Sequence, residues 1–128
     1  FVAITGRNKA LANELKNLYP DVDVYGFTEA IPELMHAADM IISKAGGLTA
    51  AETLTTSLNY IIYKPLPGQE EANAEYLKSS GAAIIAKTPN EVLLAIGNYS
   101  IAKVKERQKL GRPEAAPDIA KAVINMLN

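Results

Sequence analysis

The sequence predicts an α/β fold, a Rossmann-like parallel sheet flanked by helices, and three observations predict it. Short apolar runs recur along the chain, among them FVAIT, MII, YIIY and AIIA, and such runs bounded by turn residues read as strands. The stretches between them place apolar residues at spacings of three and four, the period of an amphipathic helix. The resulting order, βαβαβαβαβ followed by helices, requires crossover connections between parallel strands and puts helices on both faces of the sheet.

Taken in order, residues 1–5 form the first strand and Gly6-Arg7-Asn8 a turn. Leu11, Leu15 and Leu18 line one face of a helix that ends near Tyr19-Pro20. Val22 and Val24 belong to a second short strand reaching Phe27. Thr28 is the expected N-cap of a helix with Pro32 in its first turn and Ile31, Leu34, Met35 and Ala38 turned inward. Asp39 closes that helix before a strand over residues 40–42. A turn at Gly46-Gly47 follows, and a helix opens at Thr49 with Ala51, Leu54 and Leu58 inward.

A buried strand over residues 60–63 then runs into Lys64-Pro65-Leu66-Pro67-Gly68, where two prolines exclude both helix and central strand. The next helix, residues 69–80, stops at Gly81, the residue type expected just past a helix end. Residues 83–86 form another buried strand. Thr88-Pro89-Asn90-Glu91 combines an N-cap, a proline at the first helical position and a glutamate at the third, a strong helix start. Val92, Leu93 and Ile96 form its inward face. A charged surface helix is expected over residues 100–110, and a Gly111-Arg112-Pro113 break precedes a last helix around residues 118–127.

Composition bounds the function. At 128 residues, 48% hydrophobic and 21% charged, the chain suits one globular domain over residues 1–128. The net charge of −1 without a run of one sign gives no footprint for a phosphate backbone, so no nucleic-acid partner is expected. The chain has no cysteine and one histidine, His36, which excludes a disulfide framework and a thiolate metal site; His36 reads as a surface or packed residue. No apolar run reaches membrane-spanning length and none resembles a signal peptide, so a cytoplasmic location is the default expectation. The first residues already read as a strand, with no initiator Met, and the chain is expected to be a piece of something longer.

Polar groups concentrate in two consecutive strand-to-helix loops, where ligands of open α/β sheets sit, outside the carboxyl ends of the strands. Gly46-Gly47-Leu48-Thr49 leads into a helix: it is either a phosphate site, with backbone approach and a positive dipole end, or a tight turn with Thr49 as a simple cap. Thr49-Ala50-Ala51-Glu52 fits a capping box, which is the preferred account of Glu52 on the residues alone; the other is a carboxylate accepting from the two hydroxyls of a ribose. Gln69, Glu70 and Asn73 sit on the Pro-Gly loop, where acidic residues suit the helix dipole but amide and carboxylate groups also suit a sugar. Arg7 is either solvated or set to neutralise a phosphate at the mouth of the first strand. The Lys103, Lys105, Arg107 and Lys109 charges form a solvated face, with contact to an acidic membrane surface as the alternative.

Together these stretches carry a resemblance. SKAGGLTAAETL, IIYKPLPGQEEANAEYL and the following GAA, preceded by TGRN and GFTEAIPELMHAADMII and followed by GRPEAAPDIAKAV, resemble the C-terminal domain of the monogalactosyldiacylglycerol synthase and processive diacylglycerol glucosyltransferase family, related to the MurG transferase. The resemblance covers essentially the whole chain. It implies one half of a two-domain GT-B glycosyltransferase, this half binding a UDP-sugar donor and an absent N-terminal domain binding a lipid acceptor such as diacylglycerol. Phe27 and Thr28 would meet the uracil, Gly46, Gly47 and Thr49 the diphosphate, and Glu52 the ribose. Gln69 and Glu70, with Asn73 nearby, would hold sugar hydroxyls, and Arg7 matches the Gly-Arg-Asn turn.

The implied reaction is inverting transfer of a hexose, with no metal or other cofactor. The catalytic base would belong to the N-terminal domain, so no catalytic residue is expected in this chain, and the whole enzyme would be cytoplasmic and peripheral to the membrane. A complete donor domain of the family has one more, central strand before Phe1. Its absence is expected to leave an open sheet edge, an isolated piece inactive in transfer, and a homodimer through that edge. Two other readings stand beside this one: a UDP-sugar epimerase of the same architecture, and a nucleotide-sugar-binding module without chemistry.

Overall fold

The computed structural model describes residues 1–56, 58–98 and 109–127. The expected helix over residues 100–110 lies, but for its last two positions, outside the described residues. The observed order is β1 (Val2–Ile4), α1 (Lys9–Leu18), β2 (Asp23–Tyr25), α2 (Ile31–Ala37), β3 (Met40–Ser43), α3 (Gly47–Thr56), β4 (Asn59–Tyr63), α4 (Gln69–Ser79), β5 (Ala83–Ala86), α5 (Pro89–Gly97) and α6 (Ala115–Met126). All strand pairs are parallel, and the α/β alternation is the one the sequence predicts.

The strands form two sheets where one was expected. β1 pairs with β2, and β3-β4-β5 form the second sheet. Four strands, β1, β2, β3 and β5, each have a single partner among the described residues.

The chain divides into two compact units, Phe1–Leu34 and Met35–Asn128. No residue of the first is fully buried. In it α1 starts at an Asn8 cap, whose Oδ1 accepts from the Leu11 N–H at 3.0 Å, and Leu15 is half-buried while Leu18 is 60% exposed. The expected Thr28 cap of α2 is displaced. Its Oγ1 accepts from the Ala30 N–H at 3.1 Å, a local turn that delays the helix to Ile31.

The second unit holds the core, and β4 divides it by the two-residue alternation of a strand. Tyr60 and Ile62 pack with Ala45, Ala50, Ala74 and Leu77 on one face, which α3 and α4 cover. Ile61 packs with Ala86 and Ala95 on the other, which α5 covers. Helices therefore lie on both faces of this sheet, as expected. Three face assignments shift, because an apolar-rich helix leaves its phase open to periodicity. Ala50 and Thr53 are buried on α3 where Ala51 was expected, Ala95 takes the place of Leu93 on α5, and Ala38 lies exposed beyond the end of α2. β5 is half-buried, with Ile84 48% exposed, because it is one of the two edge strands of this sheet.

Two glycines are dictated by backbone geometry. Gly81 has φ +73 at the end of α4, and Gly68 has φ +96 at its start; a side chain at either would be strained.

Candidate functional site

The predicted residues gather at the carboxyl ends of the strands in both units. In the first, Gly6 and Gly26 approach each other, a Cβ at Gly26 lying 3.5 Å from the Gly6 carbonyl, because Thr5 closes onto Tyr25 through its N–H at 2.9 Å and its hydroxyl at 3.1 Å. The turn after β1 and the end of β2 thus lie side by side. The Arg7 guanidinium stands 5.8 Å from the centroid of the Phe27 ring, a cation–π contact. Phe27 is 69% exposed and Thr28 half-buried, so an aromatic surface and a fixed positive charge are presented together.

In the second unit the start of α3 combines two absences that no other described helix start shares. The helix begins at Gly47, two residues before the predicted start, so Thr49 is its third residue and not its cap. Gly46 is the cap, its carbonyl accepting from the Ala50 N–H at 2.9 Å. No hydrogen bond from a described side chain caps this helix, and its first turn carries no acidic residue. The N–H groups of Gly47, Leu48 and Thr49 have no acceptor among the described residues. Elsewhere α1 is closed by Asn8, α5 by Thr88, and α4 has Glu70 and Glu71 in its first turn. The two glycines have no positive φ, and a Cβ on either would meet nothing within 4 Å. Neither turn geometry nor packing among the described residues accounts for them, and among those residues nothing lies over either.

The capping box predicted for Glu52 does not form, because Thr49 lies inside the helix. The Glu52 carboxylate has no hydrogen bond or ion pair among the described residues, although the side chain is half-buried. The Thr49 hydroxyl is likewise unengaged, while the Thr49 carbonyl accepts from Thr53 Oγ1 at 2.6 Å.

The β4–α4 loop sorts its three predicted residues. Gln69 is exposed and its amide is unengaged among the described residues. Glu70 accepts from the Leu66 N–H through Oε2 at 2.8 Å, which braces the loop and leaves Oε1 available. Asn73 donates through Nδ2 to the Ala45 carbonyl at 3.0 Å, so half of its amide is engaged across to the β3–α3 loop. Lys64, at the end of β4, holds a φ of +47 and places its ammonium 5.2 Å from the Tyr63 ring centroid.

Sequence reasoning passed over Tyr60, taking it only as a strand residue. Its side chain is 2% exposed; its hydroxyl donates to the Lys44 carbonyl and accepts from Ser43 Oγ at 3.2 Å. Burial pushes the phenol above its ordinary value of 10.0, with the Ser43 hydrogen bond opposing and the Glu70 carboxylate adding to the rise. The available signal was general: a tyrosine within a buried strand requires an acceptor for its hydroxyl. A concavity of about 300 Å³ lies elsewhere, lined by Lys109, Arg112, Glu114 and Asp118 among others, and holds none of the predicted residues.

The sequence profile of the glycosyltransferase family 28 C-terminal domain matches residues 1–93. The chain belongs to that family. Curated relatives of this family 28 domain include proteins named processive diacylglycerol beta-glucosyltransferase. One from Bacillus cereus is 35% identical over 133 residues, covering 96% of this chain and 34% of the relative. Another from Bacillus mycoides is 33% identical with the same coverage. The chain thus spans about a third of the length of these relatives. Among solved structures, the glycotransferase of kitacinnamycin superposes with a TM-score of 0.74 at 23% identity, over 94% of this chain and 34% of that one. The fold is the Rossmann-like half of a GT-B glycosyltransferase.

Proposed function

We propose that this family 28 domain binds the donor of a glycosyltransferase that moves a hexose from a UDP-sugar to a lipid acceptor such as diacylglycerol. The observation that carries the reading is the uncapped start of α3. Among the described residues, three N–H groups without an acceptor, no acidic side chain in the first turn, and open space over Gly46 and Gly47 make a receptor for a diphosphate. One turn along the helix stands the unengaged Glu52 carboxylate, suited to the two hydroxyls of a ribose. Gln69 and the remaining oxygen of Glu70 supply an acceptor and donors for the hexose. Phe27 and Thr28 take the uracil, and Arg7 adds positive charge beside Phe27. The names of the relatives favour glucose as the hexose and diacylglycerol as the acceptor.

In this mechanism the acceptor hydroxyl attacks the anomeric carbon as UDP departs, and the configuration inverts. Charge develops on the departing diphosphate, where the fixed N–H dipoles of α3 stabilise it without reorganisation; the step draws on no cofactor. The base that activates the acceptor, and the acceptor pocket, belong to a partner domain N-terminal to this one. The assembled enzyme works at the cytoplasmic membrane surface, and the domain alone is inactive in transfer. Among the described residues no helix is long and apolar enough to cross a membrane.

Calorimetric titration with UDP and UDP-glucose tests the donor half of this reading. Saturable binding that Glu52→Ala abolishes is the expected outcome, and binding unchanged by that substitution would remove the ribose role. Product analysis with diacylglycerol and the partner domain present tests the acceptor half.

A further inference from the structure

Two consecutive carbonyls of the β3–α3 loop are held from beneath by side chains of other elements. The Lys44 carbonyl accepts from the Tyr60 hydroxyl on β4. The Ala45 carbonyl accepts from Asn73 Nδ2 on α4, 28 residues away in sequence, at 3.0 Å. A carbonyl only accepts, so the Asn73 amide must turn its nitrogen toward Ala45, and that orientation is fixed. Ala45 is itself 0% exposed, and a buried carbonyl left without a donor is costly. Tyr60 works within a chain of hydroxyls: Ser43 donates to it, and its own proton goes to the Lys44 carbonyl, so each bond polarises the next.

The geometry of the peptide group gives these clamps a consequence. In a trans peptide the C=O of one residue and the N–H of the next point in opposite directions. Holding the Ala45 carbonyl on Asn73 therefore aims the Gly46 N–H away from α4. Holding the Lys44 carbonyl on Tyr60 does the same for the Ala45 N–H. Glycine at 46 and 47 leaves the backbone free to lose this arrangement, since neither has a side chain to fix it.

We infer that Asn73 and Tyr60 are positioning residues, which hold the β3–α3 loop in the conformation that presents its N–H groups to a diphosphate. This rests on the donor-site reading above and deepens it. Asn73 then serves the diphosphate through Ala45 and is not a ligand of the sugar, although it lies on the sugar-side helix with Gln69 and Glu70. The same bond ties the two loops of the site together.

The test separates the roles by ligand. Uridine, UDP and UDP-glucose are titrated into the protein and into its Asn73→Ala and Tyr60→Phe variants, and amide exchange is followed without ligand. Both variants are expected to weaken UDP and UDP-glucose by the same factor, roughly tenfold, and to leave uridine unchanged. Exchange at the Ala50 N–H, whose bond to the Gly46 carbonyl is the first of α3, is expected to quicken roughly tenfold. The Ala82 N–H, bonded to the Leu77 carbonyl at 2.8 Å at the far end of α4, should not change. A loss confined to UDP-glucose in Asn73→Ala would make Asn73 a sugar ligand and overturn the inference, as would unaltered exchange at Ala50. If the unsubstituted protein binds no UDP, the donor-site reading fails, and the exchange at Ala50 still decides whether the clamps hold the loop. Should Asn73→Ala fail to fold, Tyr60→Phe gives the same readings.

Discussion

At the scale of single residues, Glu52 and Tyr60 show what a side chain's partners reveal about its role. Glu52 has no partner to lose among the described residues, so Glu52→Gln should leave thermal stability within about 0.5 kcal/mol. UDP affinity should nonetheless fall roughly tenfold or more, because hydrogen bonds from hydroxyls to a charged acceptor exceed those to an amide. Parallel thermal melts and titrations check both halves; a stability loss matching the affinity loss would return Glu52 to a structural role. Tyr60 is the opposite case. Its phenol is raised above 10.0 by burial, so the folded state holds its proton more tightly than the unfolded chain does. The stability this contributes is complete below about pH 10 and is lost as pH rises through the folded value. Tyr60→Phe should cost about 1 kcal/mol at neutral pH and should flatten the fall in unfolding free energy above pH 10. Denaturant melts of both proteins across that range, compared as a difference, make the check.

At the scale of elements, the chain contains the same signature twice, and only one copy acts as written. Thr88-Pro89-Asn90-Glu91 forms its cap: Thr88 Oγ1 accepts from the Glu91 N–H at 3.3 Å, and Glu91 Oε2 accepts from the Lys87 N–H at 2.9 Å. Thr49-Ala50-Ala51-Glu52 has the same spacing and forms none. The difference lies upstream, where Pro89 fixes the first residue of α5 and nothing at Gly46-Gly47 stops α3 from starting early. A capping box was thus legible as a pattern, and its failure at α3 was not. Strand order, helix order and the two polar loops were readable because they depend on apolar period and turn residues. Which face of α5 is buried was not, since Val92 to Ile96 are apolar all round. Thr88→Ala is expected to cost about 1 kcal/mol, and Thr49→Ala close to nothing. Gly47→Ala should be neutral to slightly stabilising, because alanine favours a helix and space lies open at that position, yet it should weaken UDP through the methyl group placed in that space. Melting temperatures set beside UDP titrations for the three variants are the measurement, and a destabilised Gly47→Ala would mean the glycine serves the fold.

At the scale of the whole molecule, the open strand edges carry a prediction about association. A parallel strand with one partner presents a row of unpaired N–H and C=O groups along its other side, and proteins usually cover or charge such an edge. Among the described residues neither remedy is found at β3: its residues are Met40, Ile41, Ile42 and Ser43, with Ile42 46% exposed. A second apolar surface lies on α6, where Ile119, Val123 and Met126 recur at helical spacing and are 64%, 52% and 85% exposed. Both could drive self-association, but the backbone groups of an edge can be satisfied by another strand, whereas an amphipathic helix gains only apolar burial. Concentration-dependent association of this chain is therefore expected to run through the β3 edge. Sedimentation from micromolar to millimolar should show it, Ile42→Lys should suppress it by placing a charge beside the strand, and Val123→Lys should leave it intact. The reverse pattern would assign association to α6, and a monomer throughout the range would show that the open edge attracts no second copy.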